Sequence, residues 1–237
     1  MKGNFPVYKY YKKIRRKIYE FFGNAKYTPK LGLNNLDDKL EKYLNFKSGF
    51  FVELGANDGY KQSNTYYLER GKKWKGILIE PVPELFEKCK KIRGKSLVLN
   101  LAIVNSDYNE NTITIHYAGL MSTIEDSRPK KDLKTHIKRG IEVQNLTHTY
   151  SISVPVSTLS NVFTKYQVKK IDFLSLDVEG AELDVLKGMN ISKFRPKYIL
   201  VETNKYYEDV NKFLSENGYK LMEKMTQHDY FFSDSLV

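Results

Sequence analysis

An α/β fold with a mostly parallel sheet is what this sequence predicts, and three observations predict it. Short apolar runs rich in β-branched and aromatic residues recur at Phe50–Leu54, Lys75–Ile79, Ile171–Leu176 and Lys197–Val201. Their length and composition suit strands buried on both faces. Each run ends in a glycine loop or an acidic residue: Gly55–Gly59, Glu80, Asp177 with Glu179, and Glu202. Helix-like stretches intervene, such as Ala181–Gly188 (AELDVLKG), closed by a glycine suited to a C-cap. Parallel sheets bind ligands at the carboxyl ends of their strands, so Glu53, Glu80, Asp177, Glu179 and Glu202 are expected at one rim.

The first loop narrows the ligand. Gly55 and Gly59 permit a sharp turn and a close approach of backbone to ligand. From Gly59 to Glu80 is 21 positions, close to the roughly 20 between a glycine loop and the carboxylate that grips a ribose diol. A dinucleotide loop reads G-x-G-x-x-G, but here Asn57 stands in place of the second glycine. Glu53 and Asp58 would also repel a pyrophosphate laid between them. A ligand carrying a ribose, an ammonium and a sulfonium suits those acids, and S-adenosylmethionine is such a ligand. No phosphate-loop motif G-x-x-x-x-G-K-[ST] occurs.

These motifs carry a family resemblance. FVELGANDG at Phe51–Gly59, SNTYYLE at Ser63–Glu69, GILIEPVPELFEK at Gly76–Lys88 and the block IDFLSLDVEGAELDVLKG at Ile171–Gly188 together resemble the FkbM family of S-adenosylmethionine-dependent methyltransferases. The similarity runs from about Phe50 to Ser233, and the last block is its most specific part. ELGANDG followed by SNT is the form of one branch, where D-x-G-A-N-x-G is commoner. The resemblance implies a class I methyltransferase fold, Rossmann-like, with a seven-stranded mostly parallel sheet in the order 3-2-1-4-5-7-6 and the last strand antiparallel. It implies acceptors such as sugars and natural products without fixing one. The expected cofactor set is Glu53, Gly55, Asn57, Asp58, Gly59, Ser63, Asn64, Glu80 and Asp177. Ala102, which closes the strand-like run Leu97–Ala102, completes it.

Size and composition agree. A chain of 237 residues, 41% of them hydrophobic, supports one α/β domain with a substantial core. The one cysteine, Cys89, excludes a disulfide framework or a C-x-x-C site and reads as a bland, partly buried thiol. No signal-peptide core or run of ~20 apolar residues is present, so a cytoplasmic location is expected.

Two regions depart from the α/β pattern. Residues 1–30 form a basic segment in which Val7, Tyr11, Ile14, Ile18 and Phe22 mark one helix face among lysines and arginines. Packing on the domain, or peripheral contact with an anionic membrane or a partner through residues 7–22, are its two readings. Residues 31–237 make the methyltransferase domain, with an insertion or lid at about 105–150. Within it Asn111–Tyr117 alternates as a half-exposed strand, and Gly119–Arg139 reads as a mobile loop with a short helix. Ser151–Val156 reads as an edge strand because of Pro155.

Chemistry follows from position. Asp177 is expected beside the sulfonium. Glu179 is a second-layer support or a base, and His228, before the last strand, is a further candidate base. Asp177, Glu202 and Asp229 offer oxygen ligands for a divalent cation such as Mg²⁺, while simple charge balance around the sulfonium explains them equally. Ser122, Arg128 and Arg139 are candidates for an anionic acceptor, in keeping with the net charge of +11. The preferred activity is O-methylation of a phosphorylated or nucleotide-linked sugar. A nucleic-acid methyltransferase lacks support from any RNA-binding signature, and a binding protein that kept the fold is the remaining alternative. Oligomeric state is not readable.

Overall fold

The computed structural model describes Arg15, Ile18 and residues 25–125, 130–203 and 205–236. Its centre is a seven-stranded sheet formed by β1 (Phe50–Leu54), β2 (Lys75–Ile79), β3 (Leu97–Leu99), β8 (Ile171–Leu176), β9 (Pro196–Glu202), β10 (Tyr219–Lys224) and β11 (Asp229–Asp234). The spatial order is β3-β2-β1-β8-β9-β11-β10, with β11 antiparallel to both neighbours and the β1, β2, β3, β8 and β9 pairings parallel. That is the order 3-2-1-4-5-7-6 expected above.

Why these runs are strands is visible in their burial. Every residue of β8 is buried, and β1 and β2 are buried at all but their first residue. Alternate side chains feed two separate cores. Val52, Leu54, Ile77, Ile79, Leu174 and Leu176 join the core on one face, which α5 (Leu159–Lys165), α6 (Glu182–Lys187) and α7 (Tyr207–Glu216) cover with residues such as Phe163, Leu186 and Leu214. Phe51, Leu78, Phe173 and Phe231 point to the other face, covered by α1 (Leu36–Glu41), α2 (Tyr66–Gly71) and α3 (Pro83–Ile92) through Leu40, Leu68 and Cys89. Cys89 is fully buried, and burial pushes its thiol up to about 12, so it is an inert packing residue.

The insertion is more ordered than the sequence suggests. β4 (Ala102–Ile103), β5 (Thr112–Tyr117), β6 (Thr123–Ile124) and β7 (Tyr150–Ser157) form a second sheet in the order β4-β7-β5-β6. Its inner face (Ile113, Ile115 and Val154) packs on Val82 and Leu85 at the start of α3. β7 is therefore interior, a correction to the edge strand expected from Pro155. Pro155 is tolerated because β4 pairs only with Val156 and Ser157, so the missing N–H falls where no ladder bond is needed. The expected mobile loop also contains the 15-residue helix α4 (Lys130–Gln144). Leu133, His136, Gly140 and Gln144 recur at steps of three and four, and Gly140 lies close against Ala118 and Met121. Of the amphipathic helix expected at 7–22, only Arg15 and Ile18 lie within the described residues; both are helical and exposed. Among the described residues, no helix is long and apolar enough to cross a membrane.

Candidate active site

Strand register builds the rim. Leu54 pairs with both Ile79 and Leu176, and Leu176 pairs with Val201. The next residue on each strand, Gly55, Glu80, Asp177 and Glu202, therefore stands at one level. Antiparallel β11 starts there too, with Asp229 opposite Glu202. A cleft of about 940 Å³, partly open to solvent, lies over the ends of β1, β2 and β8 and beneath β5, β6 and the turn Gly119–Met121. Ligand pockets commonly have this size.

The glycine loop is pinned by its own backbone. Gly55 and Ala56 donate to the Ile79 carbonyl at 3.1 and 3.2 Å. Gly55 has φ +76°, and a Cβ there would sit 1.8 Å from the Asp177 carbonyl oxygen, so only glycine fits. Gly59 serves another purpose: a Cβ would meet Cys89 and Arg93 of α3 and its cap, not a ligand. Asp58 also turns away from ligand work, its Oδ1 accepting the Tyr60 and Lys61 N–H groups at 2.9 and 2.7 Å. Neither residue lines the cleft.

Glu80 is held at both ends of its carboxylate. Oε2 accepts the Asn57 N–H at 2.7 Å, and Oε1 accepts the Val82 N–H at 2.9 Å. Burial raises its carboxyl to about 7 against the pull of those two donors, with Asp58 adding to the rise. Glu53 differs, because its lone pairs are already engaged. It accepts from Ser63 Oγ at 3.0 Å, Asn64 N at 3.1 Å, Thr65 Oγ1 at 2.5 Å and Arg93 Nη1 at 3.4 Å. Arg93, fully buried, also donates to Glu69, Ser63, Thr65 and the Gly59 carbonyl. This arginine was missed in the sequence. In the run KCKKIRGK it reads as one more solvated cation, and only the packing of α3 on the loop buries it.

At the far side of the rim the carboxyls crowd together. Asp177 is pushed well above the usual carboxylate range by burial and then by Glu202, Glu179, Glu182 and Asp229. Glu202, hydrogen-bonded to Asp177, is raised to about 7 by burial and by Asp229. Asp229 is raised by burial, and its Oδ1 is buried without a hydrogen-bond partner. Among the described residues, no group of three or more His, Cys, Asp or Glu side chains is arranged to hold a metal ion. His228 sits in the turn before β11, its N–H on Thr226 and its carbonyl accepting from Thr203, and it does not line the cleft.

The insertion closes over this side. Glu179, with φ +54°, accepts Thr123 Oγ1 on its carbonyl at 2.9 Å, and its carboxylate lies 3.5 Å from His136 Nε2 of α4. Ser122 lines the cleft, but its hydroxyl is tied to the Gly119 carbonyl and the Ala118 N–H. Arg139 is exposed on α4 and does not line the cleft, and Arg128 lies outside the described residues. Glu53, Gly55, Asn57, Ser63, Asn64, Glu80, Ala102, Asp177 and Glu179 all line it.

Comparison with known proteins agrees with this arrangement. A curated relative, "Methyltransferase sdnD" from Sordaria araneosa, is 26% identical over 176 residues, covering 65% of this chain and 66% of that protein. The chain thus spans just under two thirds of that relative's length. Among solved structures, Aeropyrum pernix fibrillarin with natively bound S-adenosyl-L-methionine is similar at TM-score 0.42 and 12% identity, covering 79% of this chain and 66% of that one. A TehB-like SAM-dependent methyltransferase from Corynebacterium glutamicum is similar at TM-score 0.43 and 9% identity, covering 97% and 100%. The Methyltransferase FkbM domain matches residues 53–221. With that match spanning most of the chain, the protein belongs to the FkbM family of S-adenosylmethionine-dependent methyltransferases.

Proposed function

We propose that the cleft binds S-adenosylmethionine and that the chain transfers its methyl group to a hydroxyl of a phosphorylated or nucleotide-linked sugar, at a cytoplasmic stage of surface-glycan synthesis. The observation that carries the cofactor half is Glu80. Each of its oxygens has one backbone donor, leaving lone pairs for the two hydroxyls of a ribose. Gly55 leaves room for the ligand beside the Asp177 backbone, and Leu85, Leu101 and Ala102 offer apolar walls for a base. When bound, the cofactor supplies a methyl group on an electrophilic sulfonium.

The chain's own part is to orient the acceptor, exclude water and take a proton. Asp177 and Glu202 share a hydrogen bond and resist double ionisation, so at neutral pH the pair keeps a negative charge and a proton affinity suited to a general base. The acceptor hydroxyl gives its proton to this pair as its oxygen takes the methyl. Glu179 joins the cleft to the covering helix α4 and so helps keep water out. Like charges around Asp177 would repel a phosphate, so the anionic part of the acceptor belongs farther out, towards the exposed Lys131, Lys134 and Arg139. The phosphates of a nucleic acid would meet the same repulsion at the reacting end.

The test is a panel of sugar phosphates, nucleotide sugars, neutral sugars and RNA incubated with methyl-labelled cofactor. Label on a sugar phosphate or nucleotide sugar supports the reading. Label on RNA alone would overturn the acceptor and leave the cofactor half standing.

A further inference from the structure

The charged side chains that line the cleft are Glu53, Glu80, Asp177, Glu179 and Lys61. Four carry negative charge when ionised and one is a cation. S-adenosylmethionine has a carboxylate on its amino-acid end, which such a cleft would repel unless a cation met it. Resting on the cofactor reading above, we propose that Lys61 binds that carboxylate and so selects ligands that carry an amino-acid end.

Placement supports the assignment. Glu80, at the end of β2, takes the ribose, so the amino-acid end runs the other way, across the ends of β1 and β8. There Lys61, Gln62, Ser63 and Asn64 form the wall. Asn64 ties this wall to β8 through its Nδ2, which donates to Ser175 Oγ at 3.2 Å. The turn that presents Lys61 is fixed on both sides. Its N–H donates to Asp58 Oδ1 at 2.7 Å, Gln62 follows at φ +59°, and Ser63 is locked by Glu53 and Arg93. The Lys61 side chain is exposed and makes no ion pair among the described residues, so its ammonium is available to a ligand. Glu53 does not compete for it, since its oxygens are taken up by Ser63, Asn64, Thr65 and Arg93. Asp58, with the Asx-turn it forms, thereby gains a role: it aims the lysine.

Calorimetric titration separates this from a general electrostatic effect. S-adenosylhomocysteine retains the carboxylate, whereas 5′-methylthioadenosine lacks the amino-acid end. Lys61→Met should weaken S-adenosylhomocysteine about 10- to 100-fold, the loss of one charge-assisted hydrogen bond, and leave methylthioadenosine within about two-fold. Lys61→Arg should recover most of the affinity. Unchanged S-adenosylhomocysteine binding in Lys61→Met, or an equal loss for both ligands, would overturn the assignment alone. Failure of the wild-type chain to bind either ligand would overturn it together with the cofactor reading.

Discussion

The two halves of the rim are built on opposite principles. Over β1 and β2 the polar groups are matched: Glu53 is engaged on both oxygens, Glu80 is held by two N–H groups, and Arg93 ties the loop, α2 and α3 together. Over β8, β9 and β11 the carboxyls of Asp177, Glu202 and Asp229 are set against each other, and Asp229 Oδ1 has no partner. A matched half is rigid before ligand arrives, which suits a cofactor common to every turnover. A half with raised proton affinities is costly to fold but able to accept a proton, which suits the reacting end. Substitutions in the first half should change stability and cofactor affinity together; those in the second should change turnover.

The largest effect is expected at Arg93. Arg93→Met removes the cation from a fully buried network and should cost about 3–5 kcal/mol in urea unfolding. A loss below about 1 kcal/mol would mean that the matched half is held by packing alone. Gly55→Ala is next, at about 2–4 kcal/mol with loss of cofactor binding, because the new methyl meets the Asp177 carbonyl at a positive φ. Normal binding by that variant would show that the loop can shift.

Glu80 sharpens the comparison through pH. Its carboxyl lies near 7 in the fold against an ordinary 4.5, so between those values the folded chain holds more proton than the unfolded chain. Its contribution to stability is therefore most favourable below about pH 4.5 and declines as pH rises to about 7, by up to about 3 kcal/mol. The difference between wild type and Glu80→Gln in unfolding free energy should trace that decline. Affinity for S-adenosylhomocysteine should move the other way, rising over the same window as the carboxylate ionises. A pH-independent difference would place Glu80 in a wetter setting than its burial implies.

In the second half, Asp177→Asn should lower turnover about 100-fold or more once an acceptor is known, with the fold intact. The smallest effect belongs to the ion pair of Lys205 with Asp132 on α4, at 2.7 Å between exposed side chains. Lys205→Ala should change stability by no more than about 1 kcal/mol.

Much of this was legible in the sequence because strand-end patterning is local. A run such as IDFLSLD names its buried strand and the acid that follows, and register then places the acid. What depends on distant packing was hidden. Arg93 looks solvated until α3 is laid on the loop, and Glu53 looks available until Ser63, Thr65 and Arg93 converge on it. Pro155 suggested an edge because its one harmless pairing with β4 is set by the length of a two-residue strand. The helical spacing of Leu133, His136, Gly140 and Gln144 was present, but lysines and Pro129 around it read as loop.

Calorimetric titration of S-adenosylhomocysteine into wild-type and Glu80→Ala protein tests the central claim most directly. One molecule should bind per chain, and Glu80→Ala should weaken it by about 1–3 kcal/mol with the protein still folded, as for a hydrogen bond to a charged group. No binding at millimolar ligand, or equal affinity for both proteins, would contradict a cofactor site at the ends of β1 and β2.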